Sequence, residues 1–259
     1  MGISGIETQP RKGARAALGA LFLAVPLVLP GGAASGFTLP EGCTAFATVQ
    51  MRACGVLLFW RCDHAPEGSF SQASFSGEGL ESVVSYNRDY QWLDAAYSWD
   101  SSREQYAPPA ADPISRSDLI ATGIDTFDFA MHRSTPGERY DIRVLGADML
   151  TGTTRMIDGY ELEEVGTRLE IVDDEGNTEY ASQGTQYYSR ELGLFFTGSE
   201  EVFGPDGSTF WDDAPVDIIL PGEPRFGTTR PFYGCNSQNA AFPLIAPYPA
   251  QQETENDPL

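Results

Sequence analysis

Between Ile124 and Gly198 the chain runs in short apolar–polar alternations, with Gly, Pro, Asn and Asp collected between them. In Ile124 to Arg133 (IDTFDFAMHR), Phe127, Phe129 and Met131 fall on one side of a two-residue period, and Asp128 and Ala130 on the other. Successive strand side chains point to opposite faces, so this is the period of a half-buried strand and not of a helix. After Ser134-Thr135-Pro136-Gly137-Glu138 the alternation resumes, with Tyr140, Ile142 and Val144 against Arg139, Asp141 and Arg143. Proline presets φ and glycine accepts positive φ, so the pair between two alternating runs predicts an antiparallel hairpin.

The same logic extends in both directions. Gly146 to Gly152 reads as a turn and Thr153 to Ile157 as a short strand. Asp158-Gly159 is a two-residue hairpin signal, because a type I′ turn needs positive φ at both central positions. Tyr160 to Val172 reads as a long strand with a bulge at Gly166, and Asp173 to Asn177 turns it back into Thr178 to Ser189. Glu191 to Phe196 follows, then a turn at Gly204 to Gly207 and a last strand at Val216 to Leu220. Upstream, Thr44 to Met51, Phe70 to Phe75 and Leu80 to Tyr86 read as strands, and the nearly continuous apolar run Val56 to Arg61 as one buried on both faces. Tyr90 to Trp99 reads as a strand that is aromatic on both sides, Tyr90 and Trp92 on one, Tyr97 and Trp99 on the other. Ser101 to Pro113 carries three prolines and reads as a linker. Ser115 and Asp118 then fit a helix amino-terminal cap, with Gly123 closing the last turn. The expectation is an all-β, mainly antiparallel domain with one short helix, built as a curved meander sheet, a half-barrel or a β-sandwich.

The first 35 residues read as an export signal: Arg11, Lys12 and Arg15, then an apolar stretch from Ala16 to Leu29, then Ala33-Ala34-Ser35. That stretch is shorter than the roughly 20 residues of a membrane-spanning helix. Residues 36–250 are expected to form one domain and 251–259 a polar, disordered tail. Cys43 follows Pro40-Glu41-Gly42, which is not the context of a lipidated cysteine. The expected location is therefore periplasmic or secreted, with the signal peptide cleaved and no transmembrane segment.

Residues 1–35 hold three of the 16 basic and one of the 37 acidic residues, leaving 13 arginines, no lysine and a net charge of −23. Phosphate backbones are repelled by such a field, and no basic patch exists to release their counterions, so nucleic acid is excluded as a partner. The chain nevertheless carries 15 Phe, 11 Tyr and 4 Trp, which separates it from a disordered acidic tail.

Cys43, Cys54, Cys62 and Cys235 make an even set behind an export signal, which predicts two disulfides. A hairpin centred on Arg52 to Gly55 places Cys43 opposite Cys62 and leaves Cys54 for Cys235; the rival pairing joins Cys54 to Cys62 and Cys43 to Cys235. No pair has the close spacing of zinc ligands.

Catalytic signatures are missing. His64 and His132 sit in different hairpins, and neither a zinc-protease spacing nor a nucleophile elbow occurs. Asp173, Glu175, Asn177 and Glu179 alternate as calcium ligands do, but Thr178 stands where that loop needs Gly and Gly184 where it needs Glu. A solvated hairpin tip is the expectation there, and no metal or cofactor is assigned.

The segment Arg155 to Gly198, through Asp158-Gly159, Asp174-Glu175-Gly176-Asn177 and Tyr188 to Leu194, resembles the ends of LolA-like periplasmic carriers. It is also similar to exported alphaproteobacterial β-proteins with paired cysteines near the mature amino terminus. The LolA-like resemblance implies a curved antiparallel sheet around an apolar groove; it carries over no ligand residues. The strand aromatics lead to a non-enzymatic binding protein for an apolar small molecule or an envelope partner, monomeric, with Tyr90, Trp92, Tyr97, Trp99, Phe127 and Phe129 as the candidate ligand-binding residues. A hydrolase using acidic residues is the alternative.

Overall fold

The chain divides into Met1–Ser35 and Gly36–Leu259; a computed structural model describes residues 37–236. The expected export signal and the tail at 251–259 lie outside the described residues. Thirteen strands and one helix follow in the order β1 (Cys43–Met51), β2 (Val56–Cys62), β3 (Phe70–Ser76), β4 (Gly79–Tyr86), β5 (Trp92–Tyr97), β6 (Arg103–Asp112), α1 (Arg116–Thr122), β7 (Ile124–Ser134), β8 (Arg139–Ile157), β9 (Tyr160–Asp173), β10 (Thr178–Ser189), β11 (Leu194–Gly204), β12 (Gly207–Asp212) and β13 (Pro215–Ile219). From β1 to β12 each strand pairs antiparallel with the next, and β13 returns to pair with β1.

That last pairing dictates the curvature. Only Asp213 and Ala214 separate β12 from β13, yet these strands are the two edges of one 13-stranded sheet. Laid flat, the sheet would hold its edges about 58 Å apart at about 4.8 Å per strand. Three Cα–Cα steps reach no further than about 11 Å, so the sheet must roll until its ends meet. The meeting is made by single contacts, among them Asp213 N–H donating to Gly198 O at 2.8 Å and Ile218 N–H donating to the Asp158 carboxylate at 2.7 Å. The order stays linear, so the sheet is a curved meander and not a closed barrel. Inside the roll, Val49, Met51 and Phe59 of the first strands pack with Leu162, Tyr187 and Phe196 of the later ones.

β2 is buried on both faces, as its apolar run predicts: Leu57 and Phe59 belong to the interior of the roll, while Val56, Leu58 and Trp60 lie under Phe37 and Leu39. On β1, Thr48 and Gln50 are fully buried although polar. The carboxy-terminal segment crosses them. The Gln50 amide accepts from Phe232 N–H at 2.9 Å and donates to Arg230 O at 3.2 Å, and the Thr48 hydroxyl accepts from Gly227 N–H at 2.9 Å. Cys43 and Cys62 are directly paired across the first hairpin and bonded; Cys54, at its turn, bonds Cys235. The centred-hairpin pairing is thus the one observed, and no helix among the described residues is long and apolar enough to cross a membrane.

Several local expectations are corrected. Ser101 to Pro113 is not a linker: Arg103–Asp112 is β6, and its prolines occupy the register break between Ala107 and Asp112, where no N–H is needed for the ladder. The strand read as Tyr90 to Trp99 is only Trp92–Tyr97. Gly146 to Gly152 is no turn, since β8 runs unbroken over 19 residues. Gly166 stays in register with both neighbours, and the irregularity lies across from it, between Leu150 and Thr154. β12 was not foreseen. At Asp158-Gly159, φ values of 49° and 81° are those that the type I′ turn requires.

Candidate functional site

Strand β7 lays out the inward face in one row: Asp125, Phe127, Phe129, Met131 and Arg133, an apolar centre with a carboxylate at one end and a guanidinium at the other. Directly opposite on β8 stand Asp148, Gly146, Val144, Ile142 and Tyr140. The middle of this row is core. Phe129 is 1% exposed and packs against Trp92 and Tyr106, with ring centroids 6.0 and 6.2 Å away.

At the Asp125 end the packing leaves a cavity of about 80 Å³ below α1, walled by Tyr90, Trp92, Phe127 and Phe195 with Asp125 and Asp148 on its floor. A turn positions Tyr90: the Asn87 carboxamide oxygen accepts from Asp89 and Gln91 N–H, and Tyr90 takes a φ of 69°. Its ring thereby reaches Phe195, 4.8 Å between centroids, and its hydroxyl accepts from Phe195 N–H at 2.8 Å. The side chain of Gln91, 3% exposed, accepts from Ile114 N–H at 3.0 Å and so steers the chain from β6 into the helix. The Ser115 hydroxyl then caps α1 by accepting from Asp118 N–H, and Gly123 ends it in the left-handed conformation. Leu119, 1% exposed, seats the helix on Val165 and Tyr188.

The floor is electrically unusual. Asp125 is 5% exposed, and one of its oxygens accepts from Ser115 N–H at 2.9 Å. Burial pushes its pKa up to about 6, with Asp148, Asp112 and Asp118 adding repulsion and the Ser115 bond opposing it. Burial also raises Asp148, which the Thr167 hydroxyl pulls partly back. Among the described residues Asp148 Oδ1, shut off from solvent, has no hydrogen-bond partner. The cation among the lining residues is Arg116, whose guanidinium donates to Gly193 O at 3.1 Å.

Of the six aromatic residues singled out in the sequence, Tyr90, Trp92 and Phe127 line this cavity, and Phe129 packs behind Trp92. Tyr97 and Trp99 lie elsewhere, tilted against each other at 4.6 Å. The Tyr97 hydroxyl donates to Glu104 at 3.2 Å, and Glu104 pairs with Arg133 at 2.6 Å, which also binds Glu179. Phe129 further borders an open, mixed-polarity cleft of about 600 Å³ with Asp128, Asp141 and Arg143. His132 is exposed on that side, 2.6 Å from Asp141. The Asn177 carboxamide N–H donates to Asp173 at 2.8 Å, and Asn177 and Glu175 backbone N–H donate to it at 2.7 and 2.9 Å; led by the first, these bonds hold its pKa below the ordinary value in a self-contained turn. Among the described residues no group of three His, Cys, Asp or Glu is placed to hold a metal ion.

Asp125 and Asp148 escaped the sequence reading. Asp125 has the same parity as Phe127 and Phe129, and Asp148 the parity of Ile142 and Val144 once Gly146 is taken as a strand residue. Phe195 carried no comparable signal. Protein-family models, curated proteins and solved structures yield no match to the chain; the LolA-like likeness rests on turn and strand-end residues alone.

Proposed function

We propose that the protein is an exported, non-enzymatic binding protein that holds a small, largely apolar body in the pocket beneath α1. The observation that supports this is the convergence of Tyr90 and Trp92, from β5 and the turn before it, Phe127 of β7 and Phe195 of β11 around one cavity. Concave, mostly apolar sites with a few placed polar groups are the usual form of small-molecule sites. A cavity of about 150 Å³ holds a benzene ring, so one of about 80 Å³ encloses about three or four non-hydrogen atoms, and a larger ligand lies partly in its open mouth. That size favours a compact ligand over a fatty-acyl chain, because the rest of the inward row is filled by Phe129, Met131 and Val144. Two disulfides fit an oxidising compartment, with the first 35 residues removed on the way.

A hydrolase working through Asp125 and Asp148 is the second reading, favoured by two carboxylates with raised pKa facing each other. Among the described residues no histidine, serine or cysteine lines the cavity to complete such a site, so binding is the reading adopted.

The test is ligand-observed NMR with small aromatic probes on the native, oxidised protein. Binding is expected to fall at least about tenfold in Trp92→Ala and to be unchanged in Trp99→Ala, whose ring is away from the cavity. Probe binding indifferent to Trp92, or no binding, overturns the proposal.

A further inference from the structure

We infer that the pocket beneath α1 selects a protonated amine: a small primary or secondary ammonium group seated on Asp125 and Asp148, with its apolar body against Trp92, Tyr90 and Phe127. This rests on the binding reading and specifies its ligand. Three independent features point to a cation carrying N–H donors.

The first is an orphaned acceptor. Asp148 Oδ1 is buried with no partner among the described residues, and native proteins leave few buried polar atoms in that state. A carboxylate is an acceptor only, so what completes it must donate a hydrogen bond. The second is uncompensated charge. Asp125 and Asp148 stand directly opposite on β7 and β8. Asp112 and Asp118 add to the negative field at Asp125. Arg116, the cation in the wall, is bonded to Gly193 O and leans toward the Tyr90 ring, 5.9 Å from its centroid. No ion pair joins it to either carboxylate among the described residues. The third is the wall itself, since an ammonium is attracted to the faces of Trp, Tyr and Phe rings.

Other ligand classes fit less of this. A neutral apolar molecule leaves Asp148 Oδ1 unsatisfied, and an anion meets two carboxylates. A calcium ion takes six to eight oxygen ligands, which aromatic walls do not supply. A quaternary ammonium offers charge but no N–H. The two carboxylates could instead share a proton between themselves, and the experiment separates that case.

The experiment titrates benzylammonium chloride and its neutral isostere benzyl alcohol into the oxidised, mature protein at near-physiological salt, reading binding by calorimetry and ligand-observed NMR. Benzylammonium is expected to bind at least about tenfold more tightly, the scale of one buried acceptor satisfied or left bare. Asp148→Asn should bring the ratio between the two probes to about one, and Asp125→Asn, which keeps an acceptor for Ser115 N–H, serves if the first variant does not fold. Equal binding of both probes, still sensitive to Trp92→Ala, overturns the amine inference and leaves the binding reading standing; it is the outcome of a shared proton. Loss of both probes from the native protein removes the binding reading itself. Benzylammonium binding that ignores both aspartate variants is adsorption to the acidic surface and overturns the inference.

Discussion

Gly146 stands directly across from Phe127, and the place of its missing side chain is taken by the Phe127 ring: a Cβ there would lie 2.3 Å from that ring and 2.3 Å from the Arg168 carbonyl oxygen. The glycine is in regular strand register, so its requirement is space and not backbone conformation. Gly146→Ala must displace Phe127 or spread β8 from β9, an overpacking that costs about 1–3 kcal/mol. A lower thermal midpoint is expected together with weaker probe binding, since Phe127 walls the pocket. Gly137→Ala, with open space around it, is the control. Equal midpoints for the two variants would remove the packing account.

The same residue shows why part of the fold was legible and part was not. Local periodicity located the hairpins Ile124 to Leu145 and Tyr160 to Ser189, because each alternation is completed by neighbours in sequence. A glycine in an alternating run, however, signals a turn unless the ring lying over it is known. Gly146 was therefore misread, and with it the parity that places Asp148 beside Asp125. The prolines of β6 misled for the same reason, since their tolerance depends on a register break with β7. The meeting of β12 and β13 is a property of the rolled sheet as a whole. No local pattern encodes it.

Asp213, in that meeting point, predicts how stability varies with pH. It is 6% exposed, and burial raises its pKa from 3.8 to about 6; the Ala53 N–H bond lowers it, Asp212 and Glu81 raise it, and Arg52 lowers it. With the folded value above the unfolded one, this group's contribution is fully present below about pH 4 and is lost as pH rises through about 6. Asp125 acts in the same direction. The protein should therefore be more stable at pH 5 than at pH 7.5. Asp213→Asn, which can still accept from Ala53 N–H, should raise the unfolding free energy at pH 7.5 by an amount on the order of 2–3 kcal/mol and flatten the profile. Parallel pH profiles for wild type and variant would contradict this.

Arg133 holds the other end of the inward row. Its side chain is 17% exposed, between Glu104 at 3% and Glu179 at 20%. Removing the shared cation strands two carboxylates, whereas removing one carboxylate leaves the other pair intact. Arg133→Met is thus expected to cost about 3–5 kcal/mol and Glu104→Gln distinctly less. Arg133→Lys should recover only part, because a single ammonium cannot fork to both partners. Denaturant midpoints of the three variants check the order, and a Glu104→Gln loss as large as that of Arg133→Met would refute it.

The two disulfides differ in how much of the unfolded chain they restrain. Cys43–Cys62 spans 19 residues and Cys54–Cys235 spans 181. Chain entropy assigns them about 3 and about 5 kcal/mol respectively. The larger loop is also anchored without its disulfide, by Gln50 against Arg230 and Phe232 and by Thr48 against Gly227. Gly234 approaches the first hairpin so closely that a Cβ on it would lie 2.1 Å from Arg52 O. These contacts keep the native state assembled, so the Cys54→Ser/Cys235→Ser protein should fold but unfold at a lower denaturant concentration than Cys43→Ser/Cys62→Ser. Wild-type protein, unfolded without reductant, should titrate no free thiol. A greater loss from opening the 19-residue loop would show that local geometry at the first hairpin, and not restraint of the unfolded chain, sets the contribution of each bond.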